Sequence, residues 1–196
     1  MEEDIKKACD ILSKGGIILY PTDTVWGIGC DATNQDVVKK IYEIKQRTDS
    51  KSMLVLLDST AKLDYYVSEC PDVALDLIDV SESSKKIDPP QKPITIIYSG
   101  AKNLAPNLIA EDGSIGIRIT QEAFSKELCR RFKKPIVSTS ANISGMTSPA
   151  NFSEIDSAVI DAVDYVVNYR QNDLMPAKPS SIIKIDKGGI IKIIRE

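Results

Sequence analysis

Four segments carry residue types and spacings that suit chemistry on an anionic ligand. The longest runs from Pro135 to Ser153, 19 residues without a charge that hold five Ser, two Thr and two Asn. At its heart is Ser138-Thr139-Ser140-Ala141-Asn142-Ile143-Ser144-Gly145. Neutral hydroxyls, a carboxamide and backbone N–H groups can bind phosphate oxygens or an adenine edge without adding charge. An ordinary turn or capping segment is rarely so long. The second segment is Lys45-Gln46-Arg47 with Lys51 beyond it. Lys39, Lys40, Lys45, Arg47 and Lys51 put five cations in 13 residues of a chain whose net charge is −3. On a continuing helix Lys45 and Arg47 would diverge by about 200°, whereas in extended chain both reach one ligand. Such a local field suits phosphates, and a solvated basic helix end is the structural alternative.

The third segment, Ile115-Gly116-Ile117-Arg118-Ile119, alternates with period two. The isoleucines take the core face, and Gly116 leaves room beside a guanidinium whose fork matches a carboxylate or phosphate. A salt bridge would use Arg118 equally well. The fourth is Tyr20-Pro21-Thr22-Asp23-Thr24-Val25-Trp26-Gly27-Ile28-Gly29, read as a loop at a strand end. There Thr22 and Thr24 offer hydroxyls and the glycines permit close approach, although a purely structural turn reads the same way.

Composition narrows the chemistry further. The chain of 196 residues contains no histidine. Ser-His-Asp and Cys-His nucleophile systems, His-ligated zinc and proximal-His haem are therefore out of reach. Cys9, Cys30, Cys70 and Cys129 form no Cys-x-x-Cys pair, which leaves four small hydrophobes of a reducing compartment. No metal is assigned to protein side chains. The acidic opening Met-Glu-Glu-Asp is unlike a signal peptide, and no run of 18 apolar residues suggests a membrane span, so a cytoplasmic protein is expected.

The elements that must position these segments alternate in period. Ile5, Ala8, Cys9 and Leu12 mark a helix ended by Gly15-Gly16. Val37, Val38, Ile41 and Ile44 mark a second, with Thr33 or Asn34 as its cap. Pro71 opens a third carrying Val73, Ala74, Leu77 and Ile78. Phe124, Leu128 and Phe132 define a fourth, and Ser153 could cap a fifth with Ile155 and Val159. Strands are expected at 17–20, 53–57, 94–98, 115–119, 136–138 and 165–168, with a terminal hairpin of 181–185 and 190–194. Residues 81–93 read as a loop. The fold class is α/β: one domain over 1–196, a twisted mixed parallel and antiparallel sheet with helices packed around it.

Taken in order, Tyr-Pro-Thr-Asp-Thr-Val-Trp-Gly-Ile-Gly, Lys-x-Arg, Gly-Ile-Arg-Ile and Ser-Thr-Ser-Ala-Asn-Ile-Ser-Gly resemble the motifs of the YrdC-like family in its short form. Pro179-Ser180-Ser181-Ile182-Ile183 resembles the family's Ser-Thr-Ile/Val strand, and Arg195 falls where a late arginine is frequent. Three departures stand out: Pro89-Pro90-Gln91-Lys92-Pro93 replaces Pro-Gly-Pro, Thr48 follows Lys-x-Arg in place of Pro, and Trp26 replaces Tyr or Phe. The resemblance implies a YrdC/RibB-like fold. It further implies an ATP-dependent L-threonylcarbamoyladenylate synthase, a nucleotidyltransferase that joins L-threonine, bicarbonate and ATP and releases pyrophosphate. Its product is the precursor of the t6A modification of tRNA, passed to tRNA threonylcarbamoyl-transfer proteins.

By the same resemblance Lys45 and Arg47 would be catalytic and would bind ATP together with Lys51, Ser140, Asn142 and Arg195. Thr22, Thr24, Arg118, Thr139, Ser180 and Ser181 would bind threonine, and Mg²⁺ would arrive with ATP. The competing reading is a non-enzymatic RNA-binding or ribosome-maturation factor. It calls for an extended basic face with stacking aromatics, against which stand a pI of about 5.2 and 6% aromatics. A tRNA contact by the basic cluster stays open. A carbamoyl-transfer relative would usually be a much longer chain.

Overall fold

In a computed structural model, which describes residues 1–46, 53–84, 92–176, 178–186 and 188–196, nine strands join in one sheet. The strands are β1 (Ile18–Tyr20), β2 (Gly27–Gly29), β3 (Leu54–Leu57), β4 (Ile94–Tyr98), β5 (Ile115–Ile119), β6 (Ile136–Ser140), β7 (Tyr165–Val166), β8 (Ser181–Ile185) and β9 (Ile191–Arg195). Their order is β7-β1-β2-β6-β3-β5-β4-β8-β9. β1–β7, β3–β5 and β4–β8 are parallel and the other five pairings antiparallel, so the sheet is mixed as expected.

The helices are α1 (Glu2–Ser13), α2 (Gln35–Ile44), α3 (Leu63–Tyr66), α4 (Asp72–Ser84), α5 (Ala123–Phe132) and α6 (Ser157–Asp161). Helix α1 buries Ile5, Ala8 and Leu12, and the chain leaves it through Gly15 at φ +74°, a conformation that favours glycine. Asn34 caps α2, its side-chain oxygen accepting from the N–H groups of Asp36 and Val37. Val37, Val38 and Ile41 then face the core. These apolar faces give each helix its place against the sheet.

Four sequence expectations are corrected. Residues 27–29 are not loop: they form β2, paired with β1 on one side and β6 on the other. A Cβ on Gly29 would come within 2.6 Å of both the Tyr20 ring and the Val137 carbonyl, so the strand needs glycine for close packing rather than for a turn. Helix α4 continues through Ser84 into the stretch expected as loop; residues 85–91 lie outside the described residues. Ser153 caps nothing; Asn151 caps a 3₁₀ turn over Phe152–Glu154 and Asp156 caps α6. The strand expected over 165–168 is the two-residue β7.

Strand β5 sits between β3 and β4 near the middle of the sheet, and all five of its residues are buried. Both faces are therefore covered, and Arg118 on the Gly116 face is only 4% exposed. A guanidinium in that position must find partners inside the protein.

Candidate active site

The partners of Arg118 come from three other segments. Its Nη1 donates to Asp23 Oδ1 at 2.9 Å and to Thr24 Oγ1 at 2.8 Å. Its Nε donates to Thr95 Oγ1 at 3.2 Å, on the strand that sets Ile96 opposite Ile117. Thr95 Oγ1 in turn lies 2.8 Å from Ser180 Oγ. Arg195 completes the chain, its Nε and Nη2 donating to the Ser180 carbonyl at 3.0 and 2.8 Å. Nη2 of Arg118 has no hydrogen-bond partner among the described residues.

This network forms one end of a cavity of about 180 Å³. Thr24, Gly27, Leu54, Thr139, Ser140 and Ser180 line it with the two arginines. A Cβ on Gly27 would crowd Ser138 Oγ at 3.2 Å, so glycine keeps this wall thin. Among the described residues, Arg118 and Arg195 are the only charged side chains on the lining, and Asp23 balances one of them. Arg195 has no ion pair among the described residues. Its burial first, and then the like charge of Arg118, lower its pKa. Among the described residues the cavity end therefore carries one unbalanced positive charge, which an anionic group of a ligand would neutralise.

The expected site residues divide into three groups. Thr24, Arg118, Thr139, Ser140, Ser180 and Arg195 come together on the cavity. Arg195, expected as a phosphate contact, stands at the Arg118 end. Arg47 and Lys51 lie outside the described residues. The others are turned elsewhere. Thr22 is 2% exposed and bonds within its own turn, donating to the Val25 carbonyl at 2.8 Å and accepting from the Thr24 N–H. Ser181 lies on β8 beside Ile182, which lines the cavity, and strand alternation points Ser181 to the other face.

Asn142 spends its Nδ2 on the carbonyls of Ile143 and Met146, at 3.0 and 2.7 Å, and its Oδ1 is buried without a partner. Lys45 is 2% exposed and donates from Nζ to the carbonyls of Ser140 and Asn142, at 2.6 and 2.7 Å. Neither side chain lines the cavity.

Two participants were missed. Asp23 stands inside the Tyr20–Gly29 motif without an expected role, and Thr95 reads only as part of an apolar strand. Each left a signal. An arginine inside an isoleucine strand calls for a buried carboxylate, and Thr95 is the single hydroxyl between Ile94 and Ile96.

Among the described residues the lining contains no carboxylate, and no group of three or more Cys, Asp or Glu is arranged to hold a metal. Hydroxyls could add oxygen ligands to a hard cation, but the protein supplies no cage of its own.

Comparison with known proteins finds relatives in sequence and in fold. The Sua5/YciO/YrdC family model, described as "Telomere recombination", matches residues 10–196. A protein of Pseudoalteromonas translucida named "Threonylcarbamoyl-AMP synthase" is 33% identical over 167 residues, 85% of this chain and 86% of its own. A Methanocaldococcus jannaschii relative is 37% identical over 196 residues, covering 98% of this chain and 87% of its own. The crystal structure of Escherichia coli YciO has a similar fold, with a TM-score of 0.81 at 23% identity over 100% of this chain and 90% of that one. So does Pyrococcus abyssi Sua5 in complex with L-threonine, with a TM-score of 0.78 at 22% identity over 94% of this chain. The chain spans about half (51%) of that Sua5 chain's length. On the family match and these relatives, the chain belongs to the Sua5/YciO/YrdC family.

Proposed function

We propose that the protein forms L-threonylcarbamoyl-adenylate and pyrophosphate from L-threonine, bicarbonate and ATP, supplying the precursor of t6A in tRNA. The carrying observation is that, among the described residues, one positive charge stands unbalanced at the Arg118–Arg195 end of a cavity otherwise lined by neutral hydroxyls and apolar groups. One carboxylate fits it. The name of the P. translucida relative and the threonine in the P. abyssi Sua5 structure support the same amino acid here.

In this reading the threonine carboxylate meets Nη2 of Arg118, the terminal nitrogen left without a protein partner. The contact is end-on rather than the two-pronged clasp expected from the sequence, because Asp23 and Thr24 occupy Nη1. Arg195 supplies the compensating charge. Thr24 and Thr139 stand where a β-hydroxyl and methyl group would need a small, partly polar wall. The threonine amine takes up bicarbonate with loss of water, and the resulting carbamate oxygen attacks the α-phosphorus as pyrophosphate leaves.

No histidine is needed, since the nucleophile belongs to the substrate and the protein contributes position and charge. Ser140 and the loop after it flank the phosphate side, and Arg47 and Lys51 are assigned to the triphosphate. Mg²⁺ would come bound to the triphosphate, offsetting its charge, in keeping with the carboxylate-free lining. The adenylate would pass to tRNA threonylcarbamoyl-transfer proteins, in the cytoplasm where ATP and tRNA meet.

The test is pyrophosphate release from ATP with threonine and bicarbonate omitted in turn. Release should require both. Release that ignores threonine would overturn the proposal.

A further inference from the structure

Lys45 closes α2, and three hydrogen bonds tie it to the loop that follows β6. Two leave its ammonium, to the carbonyls of Ser140 at 2.6 Å and Asn142 at 2.7 Å. The third arrives at its own carbonyl from the N–H of Ser144 at 2.9 Å. One residue thus grips the loop at three points within five residues, and it does so while 2% exposed. Bonds from a charged donor are about twice as strong as neutral ones, and without the ammonium the Ser140 carbonyl keeps, among the described residues, only the Asn142 N–H, at 2.9 Å.

The same loop is held on its other side by the single tryptophan, whose carbonyl accepts from the Ala141 N–H at 3.0 Å. The Trp26 ring packs against Phe152 with centroids 4.9 Å apart. Thr139 and Ser140, at the root of the loop, line the cavity beside Arg118.

We propose that Lys45 is a positioning residue. It acts on both substrates through the backbone of the Ser140–Ser144 loop, rather than by holding the triphosphate itself. The proposal rests on the reading of the cavity as the threonine and ATP site. Its mechanical content is separate: the ammonium is committed to loop carbonyls, so its loss should deform the wall that threonine touches even when no nucleotide is present. A lysine whose work is to hold phosphate would leave threonine binding alone.

Wild type and two variants, Lys45→Met and Lys45→Arg, are compared by calorimetric titration with L-threonine in the absence of ATP, with circular dichroism as the check on folding. Lys45→Met should weaken threonine binding by about tenfold or more and shift the Trp26 emission of the ligand-free protein. Lys45→Arg, which keeps charged donors, should restore most of both. Unchanged threonine affinity and an unchanged ligand-free spectrum in Lys45→Met, with only the KM for ATP raised, would overturn the proposal.

A measurement on the wild type keeps the question open to test should Lys45→Met fail to fold. Amine-reactive labelling of Lys45 should be slow both without and with ATP. Rapid labelling that ATP suppresses would contradict the assignment. Should the wild type bind no threonine, the reading of the cavity fails, while Trp26 emission and labelling still judge the role of Lys45.

Discussion

Asp23 Oδ1 and Arg118 Nη1 lie 2.9 Å apart with both side chains almost wholly buried, at 6% and 4% exposure. This pair fixes a guanidinium on a strand whose neighbours are isoleucines, and it neutralises one of the two charges on the cavity lining. Removing one partner of such a pair leaves the other charge buried and alone, at a cost of about 3–5 kcal/mol. Asp23→Ala should therefore lower the unfolding free energy by about that amount in urea denaturation. Asp23→Asn, which keeps a hydrogen-bond acceptor, should cost less. A loss below about 1 kcal/mol in Asp23→Ala would show that the pair is solvated in solution.

Arg118→Lys keeps the charge but has one nitrogen where Arg118 uses two against protein partners and has a third to offer. Threonine-dependent pyrophosphate release should fall by about 10–10² in kcat/KM, the cost of losing one hydrogen bond to a charged group. The fall should appear chiefly in KM for threonine. Activity within a few-fold of wild type would remove Arg118 from the substrate carboxylate.

Thr95 bridges Arg118 Nε at 3.2 Å and Ser180 Oγ at 2.8 Å, and Ser180 holds Arg195 through its carbonyl. Thr95→Val keeps the shape of the side chain and removes the hydroxyl. A net loss of about 1–3 kcal/mol in stability is expected from the two buried groups left unpaired. Threonine affinity should fall with it, because both arginines lose a common anchor. Full threonine affinity in Thr95→Val would show that the two arginines are set independently.

Acid stability should depend on Asp4. Burial alone would raise the pKa of this carboxyl. The Tyr165 hydroxyl at 2.6 Å and the Asn168 N–H and Nδ2 at 3.1 and 3.0 Å outweigh burial and hold it below its ordinary value. A carboxylate depressed in the folded state stabilises the protein above its unfolded pKa of about 3.9, and that contribution is lost as pH falls through the folded value. Asp4→Ala should be less stable at neutral pH by about 1–3 kcal/mol. The gap from wild type should narrow on acidification below the unfolded value. A gap that stays constant from neutral pH into that acid range would show that the carboxylate contributes no charge-dependent stability.

The sequence made the sheet's inner strands legible because Leu54–Leu57 is a short unbroken apolar run and Ile115–Ile119 alternates with period two. It hid β2, since Gly27-Ile28-Gly29 offers one apolar side chain, and only pairing with β1 and β6 makes it a strand. At the site, hydroxyl-rich segments and a lone strand arginine point to Thr24, Thr139, Ser140 and Arg118, and the family resemblance adds Ser180 and Arg195. Their number was legible, but their direction was not. Lys45 and Asn142 read as ligands for phosphate from their residue types, yet each is spent on backbone carbonyls that no spacing rule announces. Ser181 was indistinguishable from Ser180 until the strand register put them on opposite faces. Asp23 was legible as a residue and not as a partner, because it lies 95 positions from Arg118 in sequence.

The central claim is that this cavity joins threonine, bicarbonate and the α-phosphate of ATP into one molecule. Mass spectrometry of a reaction containing isotopically labelled bicarbonate tests it directly. The account predicts threonylcarbamoyl-adenylate bearing the label, in step with pyrophosphate, and neither product when threonine is left out. An adenylate without the label, or hydrolysis of ATP to ADP and phosphate with no adenylate, would contradict it.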